Sequence, residues 1–136
     1  MVSNAIPTFR ISNSGQLWLK LSVVYMLVGV AMGIFMGASE NFTLRPVHAH
    51  VNLLGFTTLA LSGLIYSVFP QAGESKLAKV QFWLMNLSFP VMMTALALLI
   101  SGNRTVVPVL AATEITAACG VLAFAANVML NLKKEG

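Results

Sequence analysis

With 136 residues, 57% of them hydrophobic and only 9% charged, the chain is too apolar for a soluble domain. Its net charge of +4 comes from eight Lys/Arg and four Asp/Glu gathered at a few points. No basic stripe interleaved with aromatics is present, so nucleic acid is excluded as a partner. The charge bears instead on membrane orientation and anionic lipid headgroups.

A spanning helix needs roughly 20 mostly apolar residues to cross a ~30 Å hydrocarbon core. Four such runs follow in order, predicting an all-α membrane protein built as a single four-helix up-down bundle. The N-terminal stretch MVSNAIPTFRISNSGQ lacks the apolar core of a signal peptide and reads as a cytoplasmic lead-in. The first span is expected over 17–36, capped by Ser14, with Lys20 snorkelling to the headgroups. The second covers 47–69, between Pro46 and Pro70. The third covers 77–100, kinked at Pro90 and capped by Gly102. The fourth covers 106–132 and ends in Lys133 and Lys134. Short loops between them favour antiparallel neighbours.

Arg10, Lys20, Lys76, Lys79, Lys133 and Lys134 fall on the side of the termini; only Arg45 and Arg104 fall on the other. The positive-inside bias therefore puts both termini of this multi-pass protein in the cytoplasm; a bacterial cytoplasmic membrane is the expected location.

Helices in lipid associate through close backbone contact and interhelical hydrogen bonds. Gly29, Gly33 and Gly37 recur every four residues on the first helix, and Ala111, Ala112, Ala118 and Ala125 give the fourth a small-residue surface. These surfaces suit helix packing, or a flat face for a planar cofactor. Asn86 and Ser88 are expected to make polar contacts between helices. Cys119, the only cysteine, lies in an apolar run and reads as a small buried hydrophobe.

The chemistry is concentrated in LRPVHAHVNLLGFTTLALSGLIYSVFP, residues 44–70, which holds both histidines. His48 and His50, two positions apart on a helix, diverge by about 200° and cannot face the same point. Asn52 follows His48 by one turn on the same face. Imidazole is the commonest metal ligand and serves haem iron axially. Glu114, between Thr113 and Thr116 in the same outer half of the membrane, is a neutral hydrogen-bonded acid, a metal ligand, a proton-handling group or an acceptor orienting a histidine. The inventory excludes a nucleophilic Cys/His pair, a phosphate loop, a structural zinc pattern and a dinuclear metal centre within one chain.

The segment RPVHAHVNLLGF with YSVFP resembles the second helix of the catalytic subunit I of haem–copper oxidases, and most closely the C-family oxidases and nitric oxide reductases. The resemblance implies that His48 is an axial ligand of haem b and that Arg45 lies near its propionates. Asn52, Gly29 and Gly33 would complete the cofactor surface, and His50 would bond a propionate or a neighbouring protomer. The chain departs from the family in having about four helices where full-length subunit I has about twelve, and it lacks the second haem ligand and the copper histidines. The resemblance therefore implies a homo-oligomer that shares or encloses haem and serves electron transfer from a respiratory donor, or the binding of NO or O2. Two other readings stand beside it. One is a haem-free protein holding Zn or Cu through His48, His50 and Glu114 of adjacent chains. The other is a structural or assembly subunit of a respiratory complex.

Overall fold

The computed structural model describes residues 12–132. Every regular element among them is helical. Four helices are long and apolar enough to cross a membrane: α1 (Asn13–Ser39), α2 (Arg45–Val68), α3 (Lys76–Ile100) and α4 (Arg104–Asn131). All four expected spans are present, each longer at one end or both than its apolar run. Arg10, Lys133 and Lys134, which weighed in the charge asymmetry, lie outside the described residues.

The ends of the helices follow local chemistry. α1 starts earlier than its apolar run because Ser12, not Ser14, is the cap: its Oγ accepts from the Gly15 amide at 3.2 Å. Asn13 to Gln16 then complete the first turn despite their polarity. Pro46 sits in the first turn of α2, where its missing N–H costs nothing. Ser75 caps α3 by accepting from the Ala78 amide at 3.0 Å. Gly102, at φ +100°, ends α3 as expected, with Asn103 N–H donating to Leu98 O at 2.9 Å and Gly102 N–H to Leu99 O at 3.0 Å. That pair of bonds is a Schellman motif. The helix runs unbroken through Pro90.

Two closely packed helix pairs, α1 with α2 and α3 with α4, make up the bundle. In the first, Gly15 lies against Ser67 and Gly63, Gly29 against Asn52, and Gly33 against His48, so positions advancing along α1 meet positions receding along α2. In the second, Gly120 of α4 admits the side chains of Leu84 and Met85 from α3. Aromatic edges join the two pairs: Trp18 to Phe82 with centroids 5.3 Å apart, Tyr25 to Phe89 at 5.1 Å, and Tyr66 to Phe124 at 6.2 Å. The buried face of α4 carries Leu110, Ala117, Gly120, Ala123 and Asn127. Ala111, Ala112, Ala118 and Ala125 are exposed, so of the two expected uses of that surface, packing within the chain or between protomers, the first does not occur. At about 100° per residue they fall beside or opposite the stripe running from 117 to 127. Cys119 is likewise exposed rather than buried.

The polarity of the molecule is inverted relative to a soluble bundle. Leu27, Ile34, Leu87 and Leu122 are 60–68% exposed, while Ser62, Gln81 and Asn127 are fully buried. An exterior of large aliphatic side chains on all four helices matches hydrocarbon as the surrounding solvent.

Three of the buried polar residues, Ser62, Gln81 and Asn127, join in one network at the end of the bundle that holds Ser12 and Ser75. Asn127 Nδ2 donates to Tyr66 Oη at 3.0 Å and to Ala72 O at 2.9 Å. Its Oδ1 accepts from Ser75 Oγ at 3.0 Å and from Asn131 Nδ2 at 2.7 Å. Tyr66 Oη in turn donates to Gln81 Oε1, and Gln81 Nε2 donates to Ser62 Oγ at 2.9 Å. Ser12 Oγ donates to Tyr66 O at 3.0 Å, bringing in α1. All four helices are tied together there, and among the described residues no buried side-chain polar atom lacks a partner. Asn86 and Ser88, expected to bridge helices, instead donate to Phe82 O and Leu84 O of their own helix.

Candidate functional site at the histidine end of the second helix

α2 is not uniform. Residues Val51–Thr57 form a π-helical stretch directly after the histidines. Its wider turn leaves carbonyls that two threonines cover: Thr57 Oγ1 donates to Asn52 O at 2.9 Å and Thr58 Oγ1 to Leu53 O at 2.8 Å. The packing consequence is a change of period. Val47, Val51, Gly55 and Leu59 are all buried and spaced four apart, a spacing that 3.6 residues per turn would rotate off the core face. The π turns keep these four on one face. Gly55 is held there because Tyr25 and Phe89 press on it, with Tyr25 Cγ 2.8 Å from where a Cβ would stand. Stretches of this kind recur at functional sites.

The two histidines diverge as their spacing requires. His48 is half-buried and turned toward α1, its Cε1 3.3 Å from the position of a Gly33 Cβ. The Asn52 amide is committed elsewhere: Nδ2 donates to His48 O at 2.8 Å. It stands only 3.4 and 3.5 Å from the two ring nitrogens, at the limit of a hydrogen bond. The imidazole of His48 is thus positioned by packing and lacks a strong bond. Arg45, one turn earlier, is exposed and lies over the Phe42 ring, 5.3 Å from its centroid.

His50 faces the other way. Its Nδ1 lies 2.8 Å from Pro46 O. A carbonyl can only accept, so Nδ1 carries the proton and Nε2 of the neutral ring presents a lone pair. That ring borders a cleft of about 190 Å³ together with Leu54 of α2, Met92, Met93 and Leu96 of α3, and Glu114 and Ala117 of α4. Glu114 is exposed on this wall and makes no hydrogen bond or ion pair with any described residue. Thr113 and Thr116 do not reach it; their hydroxyls donate to carbonyls of α4 itself.

The structure therefore brings His50 and Glu114 to one cleft and sends His48 to the α1 side with Asn52, Gly29 and Gly33. Gly29 is covered by the Asn52 amide and Gly33 by the His48 ring, so between α1 and α2 these glycines accommodate side chains. Among the described residues no group of three or more His, Cys, Asp or Glu is assembled to hold a metal ion, so His48, His50 and Glu114 are not a preformed three-ligand set in one chain. The sequence reading also missed the Tyr66–Gln81–Asn127 network; the amides Gln81 and Asn127 inside two apolar runs were the available signal.

No family model, no curated protein and no solved structure matches this chain.

Proposed function

We propose that the chain is a multi-pass protein of a bacterial cytoplasmic membrane, an up-down bundle with both termini inside, that binds haem b through His48 as an oligomer. Lys20, Lys76 and Lys79 at one end, against Arg45 and Arg104 at the other, support the orientation. The observation that carries the ligand assignment is the state of His48. It is a half-buried imidazole at the outer end of a membrane helix, with no strong hydrogen bond to either nitrogen and an arginine one turn nearer the surface. The RPVHAH start of α2, which resembles the haem-binding helix of haem–copper oxidase subunit I, supports it from the sequence.

The residues fit an axial ligand, but one chain does not close a pocket for the group. His48 and Asn52 already fill the space over Gly33 and Gly29, leaving no slot for a porphyrin between α1 and α2. Any haem that His48 holds would therefore need a second copy of the chain to close its pocket. There Arg45 would balance propionate charge at the membrane surface. Such a haem would supply a one-electron iron couple for a respiratory donor, or bind NO or O2.

An optical spectrum of the detergent-purified protein, oxidised and dithionite-reduced, tests this directly. A Soret band with sharp reduced α and β bands, lost in His48→Ala and kept in His50→Ala, is the expected result. A featureless spectrum after expression with ample haem would remove haem from the account.

A further inference from the structure

The cleft that holds His50 and Glu114 continues along the bundle. A second, almost wholly apolar trough of about 450 Å³ is walled by Leu54 of α2 and by Ala117, Ala118, Val121 and Leu122 of α4, with Met85 and Phe89 of α3 as its floor. Leu54 and Ala117 border both cavities. Together they form one groove between α2 and α4, polar at its outer end and apolar along its length. From Glu114 to Leu122 it runs about 12 Å at 1.5 Å per residue, toward the middle of the bilayer. Leu122 on its rim is 68% exposed, so the groove opens sideways to the lipid.

The chemistry of the outer end selects what can lie there. In the neutral ring, His50 Nε2 presents a lone pair because Nδ1–H is spent on Pro46 O. Glu114 presents carboxyl oxygens that no described residue satisfies. Two hydrogen-bond acceptors at the mouth of an apolar trough call for a head that donates. A phosphodiester brings only acceptors, whereas a hydroxyl donates one hydrogen bond and carries no charge into the lipid-facing trough. Met92 and Met93 beside the acceptors offer thioethers, which pack well on ring edges.

We propose that the groove between α2 and α4 binds a neutral amphiphile with a hydroxyl head, of the lipid alcohol or alkylphenol class, its O–H donating to Glu114 or His50 and its tail lying over Met85 and Phe89. This site does not involve His48, and it stands or falls apart from the haem proposal.

The test is equilibrium binding of a long-chain 4-alkylphenol to the full-length protein in lipid nanodiscs, by calorimetry, with the methyl ether of the same phenol as the probe without a donor. Saturable binding is expected, weakened about tenfold for the ether and for Glu114→Ala or His50→Ala, the loss of about one buried hydrogen bond. Ala118→Trp, on the exposed trough wall, should abolish binding with both polar groups intact. Helix content and elution volume of each variant report folding separately. Equal affinity for phenol and ether, or displacement of the phenol by phospholipid alone, would overturn the assignment of the head. Undiminished binding to Ala118→Trp would overturn the groove.

Discussion

Asn52 occupies the space that Gly29 leaves: a Cβ on Gly29 would stand 2.5 Å from Asn52 Oδ1 and 2.7 Å from its Nδ2. The amide cannot withdraw freely, because Nδ2 holds His48 O at 2.8 Å. Gly33 is looser, with the nearest atom, His48 Cε1, at 3.3 Å, and Gly37 has nothing within 4 Å. The three glycines of one stripe should therefore respond differently to alanine. Gly29→Ala is expected to cost about 1–3 kcal/mol through overpacking and the strained Asn52 bond. Gly33→Ala should be close to neutral, and Gly37→Ala should gain about 0.5–1 kcal/mol of helix propensity. Asn52→Ala added to Gly29→Ala should recover most of the loss. Unfolding midpoints in mixed detergent micelles read all four; equal values for the three alanines would show that the glycines are not contact positions.

The Tyr66–Gln81–Asn127 network predicts a second order of effects. Asn127 makes four hydrogen bonds to four partners, on α2, α4 and the segment between α2 and α3. Asn127→Ala strands several of them and should cost about 2 kcal/mol, allowing for the modest mean value of such bonds in membranes. Tyr66→Phe removes one hydroxyl and should cost about 1 kcal/mol. Because the two residues touch, the double variant should be less destabilised than the sum. Strict additivity would argue that the network is dispensable.

How much of this was legible in the sequence divides along physical lines. Span number and approximate limits follow from hydropathy, which depends on composition over about 20 residues. Gly102 as a cap and the divergence of His48 from His50 follow from local backbone geometry. The failures share a different cause: they depend on which neighbour each helix meets. Asn86 and Ser88 looked like bridges, yet a carbonyl of their own helix lies within reach of each. The alanines of α4 looked like a packing face because apolarity in a membrane helix does not mark the inside, and the buried stripe is distinguished only by Gly120 and Asn127. The π stretch was invisible because nothing in VNLLGFT excludes an ordinary helix, and the close approach of Tyr25 and Phe89 to Gly55 comes from other helices.

That stretch gives a third prediction. Thr57 and Thr58 satisfy the carbonyls of Asn52 and Leu53 that the wide turn exposes. Thr57→Val with Thr58→Val keeps the volume and removes both hydroxyls. The pair should cost about 1 kcal/mol and raise hydrogen exchange at the amides of residues 56–58 by about fivefold. Unchanged exchange there would mean that the backbone holds the wide turn without the hydroxyls.

The proposed orientation rests on charge, and labelling can test it. Glu74 follows the turn between α2 and α3, Asn103 precedes α4, and both are exposed. Cys119 is the only native thiol, so Cys119→Ala supplies a blank background. Because Cys119 sits in the middle of α4 and is exposed on it, its removal leaves the packed face untouched. On that background Asn103→Cys should react with a membrane-impermeant maleimide in intact cells. Glu74→Cys should react only after the membrane is opened. The expectation follows from Lys76 and Lys79, which lie just after Glu74, since cationic loops are retained in the cytoplasm. The reverse pattern would place the termini outside and turn the His50–Glu114 mouth of the groove toward the cytoplasm. The hydroxyl-headed ligand would then be drawn from the inner leaflet, and Arg45 would no longer stand at the outer surface.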